Sequence, residues 1–229
     1  MDIIEETTGE IPGQMTLDRI TGMDAAKQAL EVSLTGAHPI IFLYNSNSLA
    51  VEFVKAGKRI ADKHGLAFHG LAYPACKCGH FGNRTGHCTC RRSSAKYHLA
   101  KLGRREHQFD IWFDACMAKL PEIRTETGES EAEITGRIIA SRKLPEEKAE
   151  PDKEAVELLN AWQKHVGRAV NTGRILKLAG TIARLEGKIA GIHAHHMAEA
   201  IQYQVQAISW IWDLREPQLL EVKNKAGRR

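Results

Sequence analysis

The stretch that decides the fold runs from His38 to Tyr73. It reads His38-Pro39, Ile40-Ile41-Phe42-Leu43-Tyr44, the polar turn Asn45-Ser46-Asn47-Ser48, a segment with helical periodicity, Gly65, and then Leu66 to Tyr73. Five successive apolar or aromatic residues without polar alternation are the pattern of a buried strand. After the turn, Val51, Val54 and Ile60 recur at helical spacing, with Lys58 and Arg59 on the wet side. Gly65 closes that helix, and Leu66 to Tyr73 reads as a second strand. Strand, helix, strand in that order is a βαβ unit, whose strands lie parallel in one sheet.

Working outward, Thr21 is expected to cap a first helix with Met23, Ala26, Leu30 and Leu34 on one face and Gly36 as its stop. Residues 1–16 carry Gly and Pro without periodicity and read as a leader. Downstream, a cysteine loop fills 74–92, a basic helix of about two turns follows, and Phe109 to Phe113 forms a third strand. Ser130 to Lys143 is helical, with Ile134, Ile138 and Ile139 inward. Residues 144–153 hold two prolines and many charges and read as a linker. Beyond it come three apolar stripes at helical spacing: Ala155, Leu158, Leu159, Trp162 and Val166; Ile175, Leu178, Ile182 and Leu185; Ile201, Val205, Ile208 and Trp212. Such stripes pack helices together. The expected architecture is an α/β domain over 17–143, a small all-α domain over 154–214 and a basic tail over 215–229.

Composition narrows the classes. With 229 residues, 43% of them apolar, the chain can bury a core without disulfide staples. No apolar run is long enough to cross a bilayer, so no membrane role is expected. The N-terminus, Met1-Asp2-Ile3-Ile4-Glu5-Glu6, is acidic and has no apolar core of the secretory kind, which predicts a cytoplasmic protein. Aromatics at 6% argue against a sandwich or barrel. The net charge of +4 permits nucleic-acid binding without requiring it.

Four of the five cysteines crowd into fifteen residues as Cys76-x-Cys78 and Cys88-x-Cys90, separated by nine residues that include Gly79 and Gly86. Two close pairs joined by a glycine-rich hairpin can bring four thiolates to the corners of a tetrahedron. Zinc suits that geometry, and four protein ligands leave no position open for substrate, so the predicted ion is structural. His80 and His87 lie in the same loop and could replace one cysteine. The alternative is four unmetallated thiols. Cys116 stands alone and reads as a core residue.

Several stretches, taken together, resemble the ComM/YifB group of magnesium chelatase I-like AAA+ ATPases. Thr21-Gly22-Met23-Asp24-Ala25-Ala26-Lys27-Gln28-Ala29-Leu30-Glu31 is similar to that family's "GQ-x-x-AKRALE" helix, and Gly36-Ala37-His38 to its "GGHN" step. Pro74-Ala75-Cys76-Lys77-Cys78-Gly79 with Cys88-Thr89-Cys90 resembles "NPCPCG … CxC", the most family-specific match. Phe109-Asp110-Ile111 sits where the family has "LDRFDI". Gly128-Glu129-Ser130 through Ile134, Arg137 and Arg142 resembles "GESSxxIrxRVxxAR". The stretch from Arg174 through Thr181 to Gly187 resembles "RILRVARTIADLEG", and His195 to Gln204 the closing "HLAEALQYR". The resemblance spans roughly 17–204 and implies a reduced AAA+-like parallel sheet with flanking helices, followed by an all-α lid. Full members couple ATP hydrolysis in a ring to work on DNA, some of them in branch migration.

The departures fall on the nucleotide machinery. A P-loop needs glycines whose N–H groups wrap the phosphates, then Lys and Ser/Thr. Here the corresponding turn, Tyr44 to Val51, has neither glycine nor lysine. Ala56-Gly57-Lys58-Arg59 lies inside a helix, with Glu52 at the first glycine position and Arg59 in place of Ser/Thr. No apolar run ending in Asp-Glu occurs between 60 and 72. Tyr73 replaces the family's asparagine, Glu106-His107-Gln108 stands where it has "LDR", and Val170 falls at the sensor arginine, with Arg168 displaced nearby. Asn45, Ser46, Asn47, Ser48 and Arg174 remain as a vestigial nucleotide site, and bound ATP or Mg²⁺ is not expected.

Arg91, Arg92, Lys96, Lys101, Arg104 and Arg105 form a run without an acid. On a helix, 92, 96 and 103–104 share a face, so the run reads as a surface for a phosphate backbone or as a solvated face balanced by acids elsewhere. His193, His195 and His196 cluster beside Glu199, with His195 and Glu199 four apart, and read as helix-terminal residues. Three functional readings follow. The first is a catalytically degenerate AAA+-like protein with a structural zinc that binds DNA or a ring-forming partner, a second copy or an intact AAA+ protein. The second is an ATP-binding remodelling ATPase in a mixed ring. The third is a zinc-binding nucleic-acid adaptor.

Overall fold

The computed structural model describes residues 16–20, 22–44, 49–80, 89–103, 105–115, 129–144, 149–166, 171–187 and 191–215. Within these residues the chain is α/β. Strands β1 (Ile40–Tyr44), β2 (Gly70–Pro74) and β3 (Ile111–Asp114) form one parallel sheet in the order β2-β1-β3. Ile40 pairs with both Gly70 and Ile111, and Leu43 with both Tyr73 and Asp114, so all three strands end at the same edge. Helices α1 (Asp24–Gly36), α2 (Ala50–His64), α3 (Arg92–Gly103) and α4 (Glu131–Arg142) flank the sheet or each other. Helices α5 (Lys153–Val166), α6 (Thr172–Leu185) and α7 (Ala194–Arg215) follow.

The central strand explains the layers. Side chains alternate across a strand. Ile40 and Phe42 enter the main core with α1 and α2, while Ile41 and Leu43 face a smaller cluster with Leu102, Phe109 and Trp112. The predicted inner residues Ala26, Leu30 and Leu34 of α1 and Ile134 and Ile138 of α4 are fully buried. The helices after Lys153 share the same core. Ala155, Ile175, Leu178, Ile182, Met197 and Ile201 belong to one cluster with Phe42 and Leu30, as α6 packs on α1 and α7 on β3.

Several local expectations are corrected. The N-cap of α1 is Met23, in the left-handed region at φ 58° and without a side-chain cap bond, rather than Thr21. The second strand begins at Gly70 rather than Leu66. Gly65 at φ 64° closes α2, and the Leu66 N–H bonds back to Ala61, which holds 65–66 in the helix terminus. Phe68 then turns inward: a Cβ on either Gly57 or Gly70 would lie 2.4 Å from its ring. That contact also explains the Gly57-Lys58 pair, since Gly57 is buried in mid-α2 to admit an aromatic ring. The third strand starts at Ile111 because the Asp110 and Ile111 N–H groups both bond to the Pro39 carbonyl. The basic helix α3 runs twelve residues, longer than the two turns expected. Ser130 and Glu133 form a reciprocal capping box on α4.

One polar node locks these pieces together. The His38 Nδ1–H donates to Asp110 Oδ2 at 3.1 Å, and the other ring nitrogen meets the Thr181 hydroxyl at 2.8 Å. Arg174 pairs with Asp110 Oδ1 at 2.9 Å and donates to the carbonyls of Phe109 and His107. Gln204 donates to the Asp110 carbonyl at 2.5 Å. Gly36 is required beneath the node, because a Cβ there would sit 2.3 Å from His38 Nε2 and 2.6 Å from Thr181 Oγ1. Replacing Gly36 by Ala is therefore expected to cost about 1–3 kcal/mol of stability through forced displacement of that hydrogen bond. Urea denaturation checks this, and Gly136→Ala, where a Cβ meets nothing within 4 Å, serves as the control.

Candidate metal centre and the basic helix beside it

The cysteines are placed by the end of β2. The Ala75 N–H bonds to Tyr44 at 2.8 Å, one step past the last paired residue, and the chain then turns. The Gly79 N–H reaches back to the Cys76 carbonyl at 3.0 Å, and Gly79 takes φ 74°, a conformation that glycine adopts without Cβ strain. This tight turn brings Cys76 Sγ and Cys78 Sγ to 3.4 Å. Cys90, just ahead of α3, closes the group, and the three sulfurs lie within 4.8 Å of one another. A tetrahedral thiolate site with 2.3 Å bonds has edges of roughly 3.8 Å. The cluster can hold a metal ion. Cys88, the fourth predicted ligand, His87 and Cys116 lie outside the described residues. Burial is graded, with Cys76 enclosed and Cys78 and Cys90 partly open.

The electrostatics favour a cation. A hydrogen bond from the Cys78 backbone pulls the Cys90 thiol down, but the Cys78 and Cys76 sulfurs and desolvation outweigh it and leave the thiol above its ordinary range. Crowded sulfurs resist becoming thiolates together unless positive charge joins them.

Helix α3 is bolted to the same strand end. His98 Nε2–H donates to the Pro74 carbonyl at 2.9 Å, its ring stacks on Tyr73 at 4.8 Å, and the Tyr73 hydroxyl donates to the His98 carbonyl. Leu102, one turn on, is buried. Ser93, Ser94, Tyr97, Ala100 and Lys101 of the same helix are all exposed, with exposed Arg91 and Arg105 just beyond the helix ends. The side chains of Arg92 and Lys96, and Arg104 altogether, lie outside the description. His98 and Tyr97 were not singled out from sequence, and Tyr73 was named only as the residue at the position of the family's asparagine, not as an anchor for α3. Asn45, Ser46, Asn47 and Ser48 also lie outside the described residues, and Arg174 is engaged in the Asp110 node.

A second cluster comprises Glu186, His195 and His196. His195 and His196 both donate from Nε2 to Glu186 Oε2 at 3.1 Å, while His193 donates to Asp152 at 2.8 Å. The sequence-neighbour Glu199 instead accepts from Tyr203 at 2.7 Å. The His193 N–H donates to His196 Nδ1 at 2.9 Å. That ring therefore keeps its one proton on Nε2, where a metal would have to bind. The geometry is a helix cap, the imidazole reaching back to the backbone as Glu or Gln does in a capping box.

No family model matches the chain, and no curated protein matches it.

Burial, followed by the charges of His195 and His193, holds His196 below the usual imidazole value of 6.5 despite the opposing pull of Glu186. The folded state thus binds fewer protons here than the unfolded state. This part of the stability is complete above about pH 6.5 and is lost as pH falls through the folded-state value. His196→Gln keeps the cap acceptor without titrating. Urea titrations between pH 5 and 7 are expected to show a weaker acid loss in that variant than in the parent.

Proposed function

We propose that this chain is a nucleic-acid-binding module whose surface is organised by a structural zinc, built on a degenerate AAA+-like frame of the ComM and magnesium-chelatase type. The observation that carries the reading is the junction of three clustered sulfurs with a helix that presents Lys101 between the exposed Arg91 and Arg105. Cys90 lies two residues ahead of α3, and the same turn of chain after β2 receives both the sulfurs and the His98 anchor. Thiolate donors suit zinc, which supplies fixed tetrahedral geometry and charge without redox chemistry. Cys76, Cys78 and Cys90 would hold it, with Cys88 or a loop histidine as the fourth ligand.

Charge segregation supports a nucleic acid as the occupant. From Lys63 to Arg105 the chain holds nine lysines and arginines and no acid. In the described part of that stretch, Arg91, Lys101 and Arg105 are exposed. Arg105 bonds only to the neutral Gln108 in the contacts described, and Lys101 lies over Tyr97. Exposed cations that lie close in sequence without an intervening acid gain most from a phosphate backbone, where they displace condensed counterions.

The AAA+-like frame draws support from convergence. Gly36–His38, Phe109–Ile111 and Arg174–Thr181, three separate stretches of the family resemblance, meet around the Asp110 carboxylate. The absence of P-loop glycines and of an Asp-Glu strand end supports a frame that has given up hydrolysis, and the Gly57-Lys58 pair in mid-helix offers no replacement.

Fluorescence anisotropy with a labelled oligonucleotide between 50 and 200 mM salt tests the reading. Affinity is expected to fall steeply with salt. The combined variant Arg91→Gln, Lys101→Gln, Arg105→Gln is expected to lower the slope by roughly 0.7–0.9 for each phosphate contact removed. Undetectable binding by the zinc-loaded parent, or an unchanged slope in the variant, would overturn it.

A further inference from the structure

We infer that Tyr97, backed by Lys101, is a stacking platform for an unpaired base, so that the surface of α3 selects single-stranded over double-stranded nucleic acid. The inference rests on the nucleic-acid reading above and specifies the substrate of that same surface.

Among the described residues only three large apolar side chains are exposed, and Tyr97 at 61% is far more open than Val51 or Val156 at 39% each. Its position has a local explanation for what it does not do. The inward face of α3 is supplied by His98 and Leu102, which meet Tyr73, Pro74 and the small core cluster. Tyr97 precedes that face by one residue and is turned away from it. It is therefore dispensable for holding the helix.

Lys101, one turn further on, places its ammonium 5.0 Å from the centre of the Tyr97 ring. A cation there is attracted to the ring and at the same time adds charge beside it. A planar aromatic surface and a phosphate-seeking cation are thus presented together on one helix face. Exposed Ser93 and Ser94 lie one turn before the tyrosine, and a serine hydroxyl can donate to a phosphate oxygen.

Stacking discriminates between strands for a steric reason. In a duplex each base already has its π-faces covered by its neighbours, so a tyrosine on a helix surface gains little beyond contact with sugar edges. In a single strand the bases can splay, and each has a free π-face for a ring. Because every base has such a face, the preference is for strandedness and not for sequence. Deoxyribose and ribose strands share this chemistry, and the two are separated by the experiment below.

Four labelled probes of equal length are compared: a mixed-sequence DNA strand, its duplex, the corresponding RNA strand, and the DNA strand carrying 2-aminopurine. The parent protein, Tyr97→Ala and Tyr97→Phe are titrated with each at one salt concentration. Tighter binding of the single strands than of the duplex is expected. Tyr97→Ala should weaken single-strand binding by about 5- to 150-fold, the range for loss of one stacked base, with duplex binding unchanged. Tyr97→Phe should keep the parent's affinity, and the 2-aminopurine signal should change on binding to the parent and to Tyr97→Phe but not to Tyr97→Ala. A Tyr97-dependent preference for either the DNA or the RNA strand supports the inference and identifies the sugar. Equal affinity for strand and duplex, or a Tyr97→Ala variant that binds like the parent, overturns the platform while leaving the nucleic-acid reading standing. No binding to any probe overturns both.

Discussion

The fold depends on a single carboxylate. Asp110 stands where β3 begins, and its two oxygens are taken by His38, from the turn between α1 and β1, and by Arg174, from the first turn of α6. Through His38 the connection continues to Thr181, and through the Asp110 carbonyl it reaches Gln204 on α7. A partly enclosed acid of this kind is costly unless its oxygens are satisfied. The arrangement therefore has a unique solution: the α1–β1 turn, the start of β3 and two of the C-terminal helices must all be in place at once. Apolar burial supplies the driving force here as elsewhere, but it is directionless, and the node gives the helices their register against the sheet.

The sheet then dictates where chemistry can occur. With the order β2-β1-β3 and all strands parallel, the chain passes from the central β1 to β2 on one side and then crosses back past β1 to β3 on the other, and the strand ends share one edge. In open parallel sheets that edge, at the change of direction, is where ligands are usually met. The cysteine turn leaves the same edge of the sheet from β2, the outer strand beside β1, one residue after the Ala75–Tyr44 hydrogen bond. A small cluster of sulfurs can fix a loop there only if its flanks are already held, and they are held by Tyr73 and His98. A metal at this point would bind the start of α3 to the end of β2 from a second side, leaving the outer face of the helix rigid and free to meet a ligand. Rigidity matters because a preorganised surface loses less freedom on binding.

Much of this was legible in the sequence, and the parts that were not share a cause. The unbroken run from Ile40 to Leu43 identified a doubly buried strand, and the 3.6-residue stripes of α1 and α6 marked their inner faces, since periodicity reports burial directly; in α4 Ile134 and Ile138 are buried as expected, but Ile139, about 100° round the helix from Ile138, is only half-buried. Strand limits were less legible. Phe68 looks like a strand residue by type, yet it is used to fill the space left by Gly57 and Gly70, a tertiary contact without a local signal. The pairing of Cys76 and Cys78 could be read from spacing because the glycine that turns the chain is adjacent. The partners of His195 and Asp110 could not, as Glu186 and His38 are brought in by packing between helices and strands. Tyr97 was missed for a different reason: an isolated aromatic in a basic run carries no periodicity, and only its exposure distinguishes it from core.

Whether the metal centre and the nucleic-acid surface are one device decides the proposed function. The most direct measurement is the affinity of one protein sample for one single-stranded oligonucleotide at fixed salt, taken as purified, after removal of bound metal by a chelator, and after return of one equivalent of zinc. Mass spectrometry under native conditions would count the ions at each stage. One zinc per chain is expected, with a marked loss of affinity on its removal and recovery on its return. Full affinity in the metal-free protein, with α3 still helical, would contradict the proposed function.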